Sequence, residues 1–142
     1  SKSSMAGQYN LILLAGQGLD ATTCQWRWSI RDNAGVLTPV DLTGYAARAQ
    51  IRSSITASGS PLADWTTANG KIVLGGAAGT ITPVVADTET RDLWSESLAQ
   101  CGLHKGRPAY RLGYWDLELV PPSAAVRRFL QGECWIVPEV TR

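Results

Sequence analysis

Charge, histidine and phenylalanine are scarce in this sequence of 142 residues. Charged residues make up 18% of the chain, against roughly 25% in typical soluble domains. Thirteen basic and twelve acidic side chains leave a formal net charge of +1, so the chain as a whole has no electrostatic attraction to nucleic acid or to anionic membranes. The low charged fraction favours a protein whose surface is partly covered by partner proteins.

Long apolar segments are also absent. No run approaches the roughly 20 residues that a membrane-spanning helix needs, and the first residues lack the charged and then apolar segments of a secretory signal. We therefore expect a soluble protein that is not secreted and has no membrane partner. Two origins of residues 1–4, which precede Met5, stay open: an expression tag, or the remainder of a longer start after processing.

The three cysteines, Cys24, Cys101 and Cys134, are odd in number and far apart. They do not provide a complete set of intramolecular disulfides, and reduced thiols in a cytosol are the simplest interpretation. The single histidine, His104, lies three residues from Cys101, but further ligands do not cluster nearby, as a zinc site requires. We predict no metal and no cofactor.

Turn residues and short stretches of strand periodicity dominate the rest of the sequence. Fourteen glycines, seven prolines and six tryptophans favour strands and turns. In residues 22–31 and 45–52, apolar and polar side chains alternate, which is the period-2 pattern of a strand with one buried face. The predicted strands are residues 10–16, 22–31, 36–40, 45–52, 71–74, 80–83, 109–120, 126–130 and 133–140.

These segments predict an all-β fold, an antiparallel β-sandwich or flattened barrel of about seven to nine short strands. One short helix is expected near residues 88–100, capped by Asp87 or Thr88. Residues 1–9 are expected to be a flexible segment and residues 10–142 a single β-sandwich domain.

A carboxylate pair is the one catalytic arrangement that the sequence offers. Asp116 and Glu118 lie on the same side of the predicted strand 109–120, where two carboxylates can serve as acid and base. No third group marks a pocket around them, and a solvated strand face paired with Arg48 or Arg52 is the favoured explanation. We therefore predict that the protein is not an enzyme.

The tryptophans suggest two binding hypotheses. Trp26 and Trp28 flank Arg27, a mixture used by platforms on which nucleic-acid bases stack. Strand alternation places the tryptophans and the arginine on opposite faces, which favours core tryptophans and no nucleic-acid partner. An exposed tryptophan such as Trp65 or Trp94 would suit a sugar-stacking platform, so a carbohydrate- or host-receptor-binding β-sandwich stays open as an alternative.

An ordered set of short motifs resembles a known family. The motifs are DLTGY at 41–45, AQIR at 49–52, PLAD at 61–64, GTITP at 79–83, YWDLEL at 114–119 and PEVTR at 138–142. Together they resemble the amino-terminal module of upper baseplate proteins, which anchor receptor-binding proteins in tailed bacteriophages. The likeness rests on the order of the motifs along residues 10–142.

The resemblance implies a small structural protein of the virion, assembled in the cytoplasm of the host bacterium. Its all-β domain would pack against copies of itself and other virion proteins, such as a fibre or a receptor-binding protein, and no catalytic residues carry over. A tail, baseplate or fibre-attachment component is the leading hypothesis, and a head or neck decoration protein is the alternative.

Three segments are the candidate assembly contacts. They are the loop 53–60 with Ser53 and Ser58, the basic loop 105–107 with Lys105 and Arg107, and the tip 139–142 with Glu139 and Arg142. Because Pro138 cannot donate to a strand ladder, the last strand is expected to divide into a buried part, 133–137, and a charged tip that is free to meet a neighbour.

Overall fold

The computed structural model of the chain describes residues 7–54, 59–123 and 125–139. Within these residues, twelve strands form three sheets, and there is one α-helix. This confirms the predicted all-β class, with more strands than predicted. The strands are β1 Gly7–Gln8, β2 Leu11–Leu14, β3 Trp26–Arg27, β4 Ser29–Arg31, β5 Leu37–Pro39, β6 Ala46–Arg52, β7 Ala63–Thr66, β8 Ile72–Leu74, β9 Thr80–Pro83, β10 Gln100–His104, β11 Arg107–Val120 and β12 Arg127–Val137, and the helix is α1 Asp87–Asp92.

The main sheet has seven strands and is built around its two longest, β11 and β12. β11 pairs antiparallel with β12 on one side, and with β6 and β10 on the other. β7 lies outside β6. The predicted alternation holds in β6, where Ala47, Ala49 and Ile51 are each exposed by 2% or less. Those side chains form the inner face of the sheet together with Leu117 of β11.

The first two strands join β12 in parallel, which corrects the purely antiparallel arrangement predicted from the sequence. Leu11 lies opposite Cys134, and Gly7 lies opposite Leu130. The continuous apolar run of β2 is typical of parallel strands covered on both faces. β1 falls within residues 1–9, the segment that the sequence predicts to be flexible.

A three-stranded sheet of β3, β9 and β8 covers the inner face of the main sheet. Trp26 of β3 stacks on Trp115 of β11, with ring centroids 5.3 Å apart. Ile81 of β9 is fully buried in the same apolar cluster. Beside it, the Thr90 hydroxyl of α1 accepts a hydrogen bond from the Gly16 N–H at 3.1 Å. The fold is therefore an unequal sandwich, with one large and one small layer.

The helix is shorter than the sequence predicts. α1 ends at Asp92, and its N-cap is Ala86, which makes no side-chain capping bond. The predicted end of the helix, at residue 100, is the first residue of β10. Leu93 and Trp94 still pack against the core, but they do so from the turn-rich segment that follows the helix.

Asp-x-Thr turns shape two of the loops. The Asp41 carboxylate accepts hydrogen bonds from the Thr43 hydroxyl at 2.6 Å and from its N–H at 3.0 Å. Asp20 binds Thr22 in the same way, at 2.6 and 2.9 Å. These hydrogen bonds lower the pKa of both carboxyls, and such local bonds are the reason that Asp and Thr favour turns. The DLTG motif is thus a structural corner that leads into β6.

Candidate functional site

Two of the predicted contact segments lie near each other at one end of the main sheet, where the basic loop contacts Pro138, the residue before the tip. Arg107 donates from Nη2 to the Pro138 carbonyl at 2.8 Å, and the Glu139 carboxylate lies 3.3 Å from Nε of Arg91. Glu139 therefore has a partner within the chain, which corrects the prediction that it is free to meet a neighbour. Arg142 lies outside the described residues.

The basic loop is a tight hairpin. His104 of β10 pairs with Arg107 of β11, and the two residues between them, Lys105 and Gly106, have φ angles of 53° and 80°. Positive φ at both central positions is typical of a type I′ turn. Lys105 is exposed at the tip of this turn.

The third predicted segment does not join this end of the sheet. Ser53 is exposed and follows the last residue of β6. A side chain placed on Gly113 would come within 3.1 Å of the Cα atom of Ser53. Ser53 therefore lies against the middle of β11. Ser58 is outside the described residues.

The carboxylate pair lies on the outer face of the main sheet, and each member binds an arginine. Glu118 contacts Arg48, its register partner, at 2.6 Å, as the strand-face interpretation predicts. Asp116 contacts Arg128 at 3.2 Å. Burial, followed by the nearby Glu118 charge, raises the pKa of Asp116 against the opposing effect of Arg128. These contacts describe a ladder of ion pairs across strands.

The two tryptophans named as candidates for a sugar platform, Trp65 and Trp94, differ in exposure. Trp65 is only 1% exposed, and its indole N–H donates to Glu89 at 2.9 Å, so the hypothesis of an exposed Trp65 is wrong. Trp94 is half-buried, and its ring meets the ring of Tyr110 nearly edge-on, with centroids 4.8 Å apart. A polar N–H bound to a partner is the usual arrangement of a buried tryptophan.

The cysteines are free thiols. Burial raises the pKa of Cys24 to about 11 and raises the pKa of Cys134 further. Desolvation also raises the pKa of Cys101. All three thiols are therefore protonated near neutral pH, and the thiol form is a poor nucleophile.

The described residues contain neither a metal-binding cluster nor a membrane-spanning helix. Within residues 7–54, 59–123 and 125–139, no group of three or more His, Cys, Asp and Glu side chains is arranged to hold a metal ion. Across the same part of the chain, no helix has both the length and the apolar character needed to cross a membrane.

Sequence reasoning missed the most exposed element of the fold. Among the described residues, strands β4 and β5 pair only with each other, and every residue from 30 to 39, here called the arm, is exposed. Three aliphatic side chains of the arm are more than half exposed: Ile30 by 57%, Val36 by 56% and Leu37 by 56%. Ile30 belongs to the alternating apolar set of residues 22–31, so its predicted burial is wrong. Pro39 was the one available signal, since proline favours an edge position.

The arm is nevertheless well ordered by its own hydrogen bonds. The Asp32 carboxylate accepts from the N–H groups of Ala34 and Val36, each at 2.9 Å. Arg31 donates to the Gly35 carbonyl at 2.7 Å. These bonds fix the turn at residues 32–35, whose sequence, Asp-Asn-Ala-Gly, is typical of hairpin turns. The arm thus holds exposed apolar groups in a defined shape.

Comparison with known proteins adds no assignment. The sequence matches no protein-family model, and a search of curated proteins finds no significant match.

Proposed function

We propose that this chain is a structural protein of a tailed-bacteriophage particle, a component of the tail, baseplate or fibre attachment that works by assembling with copies of itself and other virion proteins. The arm is the observation that carries the proposal. The order of the sequence motifs supports the phage assignment, which includes assembly in the bacterial cytoplasm and residence in the virion. A head or neck position is the alternative location.

The exposed aliphatic side chains of the arm favour binding to another protein. A two-stranded hairpin on its own is marginally stable in water, and burying an aliphatic side chain is favourable by roughly 1.5–3 kcal/mol. Ile30 and Leu37 lie on opposite faces of the hairpin, because they occupy adjacent register pairs. A partner that encloses the arm would bury both faces.

The geometry of the arm lowers the cost of such an association. Its turn is fixed by side-chain and backbone hydrogen bonds before any partner binds, and preorganised groups lose less conformational entropy on binding. The base is held as well, since the Val40 N–H donates to the Trp28 carbonyl at 2.9 Å and the Trp28 N–H to Gly79 at 2.8 Å. The charges of Arg31 and Asp32 cancel, so we expect association that depends little on salt.

The arm provides the test. The double variant Ile30→Ser/Leu37→Ser should remain folded, because both side chains are exposed, and should fail to assemble. Native mass measurement would report the oligomeric state of the purified chain at low and high salt. Quantitative mass spectrometry of purified phage particles would report its incorporation.

Val73 and Val84 offer the matched control. Both are exposed aliphatic residues, by 53% and 43%, and both lie away from the arm. The Val73→Ser/Val84→Ser variant should assemble like the wild type. Equal incorporation of the arm variant and the wild type would contradict the role of the arm, and absence of the wild-type chain from particles would contradict the phage assignment itself.

A further inference from the structure

A groove crosses the outer face of the main sheet, on the side away from the core. Its volume is about 740 Å³, within the range of ligand-binding clefts. The lining includes Gln50, Arg52, Tyr114, Asp116, Gln131 and Trp135. The proposed assembly through the arm does not use this surface.

The polar side chains of the groove hold one another in place. Arg52 donates to the Gln50 side-chain oxygen at 2.9 Å. Trp135 donates its indole N–H to Glu133 at 2.8 Å. Since these rotamers are fixed by neighbours, a ligand would pay little of the entropy cost of ordering them.

The charges of the groove cancel. Arg52 and Arg128 are its basic lining residues, and Asp116 and Glu133 its acidic ones. Asp116 is bound to Arg128, and Glu133 lies 3.4 Å from Arg111 outside the lining. The lining carries as many carboxylates as arginines, and with Arg111 counted the excess is a single positive charge, too little to attract a polyanion such as nucleic acid. The electrostatics favour an uncharged ligand.

The backbone beneath the groove is already used. Asp116 of β11 lies opposite Gln50 of β6 and Gln131 of β12, so the peptide groups at this level belong to the sheet ladder. An extended peptide binds a sheet by pairing with a free edge, which a sheet face does not offer. A ligand in the groove would be recognised by side chains alone.

We infer that the groove binds an uncharged oligosaccharide. Amide, guanidinium, carboxylate and phenol groups there offer donors and acceptors together, which suits the hydroxyl groups of sugars. The half-buried rings of Tyr114 and Trp135 line the same groove and add apolar surface for the C–H faces of a sugar ring. This inference is independent of assembly through the arm.

Nuclear magnetic resonance titration of the full chain tests the inference. The probes are four neutral trisaccharides (maltotriose, cellotriose, xylotriose and fully N-acetylated chitotriose), with a heparin hexasaccharide as an anionic comparison. At least one neutral probe should shift the Trp135 indole N–H and the side-chain amides of Gln50 and Gln131. Shifts confined to residues outside the groove, shifts with heparin alone, or no shifts with any neutral probe would overturn the inference.

Variants separate the groove from other surfaces. Gln50→Ala/Gln131→Ala should weaken binding of the responding trisaccharide by about tenfold, the loss expected for removing hydrogen bonds to a ligand. Gln100→Ala changes an exposed glutamine of β10 outside the groove and should leave affinity unchanged. The arm variant Ile30→Ser/Leu37→Ser should also bind normally. Equal affinity of the groove variant and the wild type would refute the assignment of the site.

Discussion

Strand β6 and the segment that leads into the arm differ in burial, although the same alternation of apolar and polar side chains runs through both. In β6 the alternate residues Ala47, Ala49 and Ile51 are buried. In the segment that leads into the arm, Trp26 is 8% exposed and Ile30 is 57% exposed. β6 has a strand on each side and the small sheet over its inner face, whereas β4 has only β5. Periodicity therefore specifies which side chains share a face, and the neighbouring layer decides whether that face is covered.

The largest expected contrast is between a leucine of the main sheet and a leucine of the arm. Leu117→Ala empties a site with 0% exposure and should lower the free energy of unfolding by about 2–5 kcal/mol. Leu37→Ala should change it by about 0.5 kcal/mol or less. Urea unfolding of both variants measures the difference. A comparable loss in Leu37→Ala would show that the arm is part of the core in solution.

Glycines sharpen the same comparison. A side chain on Gly113 would lie 2.0 Å from the Arg52 carbonyl oxygen of the neighbouring strand, so Gly113→Ala should destabilise the fold by about 3 kcal/mol as the strands are forced apart. Gly35, in the turn of the arm, has φ 83°, and a side chain there would meet no other atom within 4 Å. Gly35→Ala should cost about 1 kcal/mol from backbone strain alone.

Thermal or urea unfolding of the two glycine variants gives the comparison directly. Equal losses of about 1 kcal/mol would mean that the close approach of β6 and β11 at Gly113 largely relaxes when a side chain is added. A larger loss for Gly35→Ala would mean that the turn of the arm supports the whole fold.

The stacked tryptophans provide a finer contrast within the core. Trp115 donates its indole N–H to the Tyr9 carbonyl at 2.7 Å, while the buried N–H of Trp26 has no partner among the described residues. Both Trp→Phe variants lose ring area, but Trp115→Phe also leaves a carbonyl without its donor. It should therefore be less stable than Trp26→Phe by about 1–2 kcal/mol. Equal stabilities in urea would contradict the importance of this hydrogen bond.

The smallest expected effect concerns the charge ladder on the outer face. The pKa of Asp116 is raised in the folded state, so folding favours its protonated form. Stability from this group is greatest below the ordinary pKa of 3.8 and falls as the pH rises through the folded-state pKa. Asp116→Asn should remove this slope, which urea unfolding at a series of pH values measures. Glu96→Gln, at an exposed position outside the sheet, is the control, and an unchanged slope in Asp116→Asn would contradict the raised pKa.

Local signals were sufficient for much of the fold. Alternation predicted the strand that contains Trp115 and Leu117, and the Asp-Asn-Ala-Gly sequence predicted the turn of the arm. Both depend on neighbouring residues alone. The helix predicted near residues 88–100 was too long, because Leu93 and Trp94 pack on the core although the helix ends at Asp92.

Long-range pairing limited the prediction of the candidate sites. An Asn-Gly pair such as Asn69-Gly70 is typical of a hairpin, and these residues lie in a turn, but the strands on its two sides, β7 and β8, lie in different sheets. Arg107 and Pro138 meet although 31 positions separate them, and Arg91 meets Glu139 across 48 positions. The groove on the outer face likewise combines residues of β6 with residues of β11 and β12, which come much later in the chain. No local sequence pattern specifies which strands pair with each other.

Backbone preferences and a repeat of two residues already specify the strand-rich class, the turns and the sides on which residues such as Ala47 and Ile51 lie. Tertiary packing adds that β2 joins in parallel, that Trp65 is buried, that Glu139 binds Arg91 and that the arm is exposed. Each of those outcomes depends on which surfaces meet. Burial and charge pairing each depend on two elements that come together in space, so the sequence of one element does not specify them.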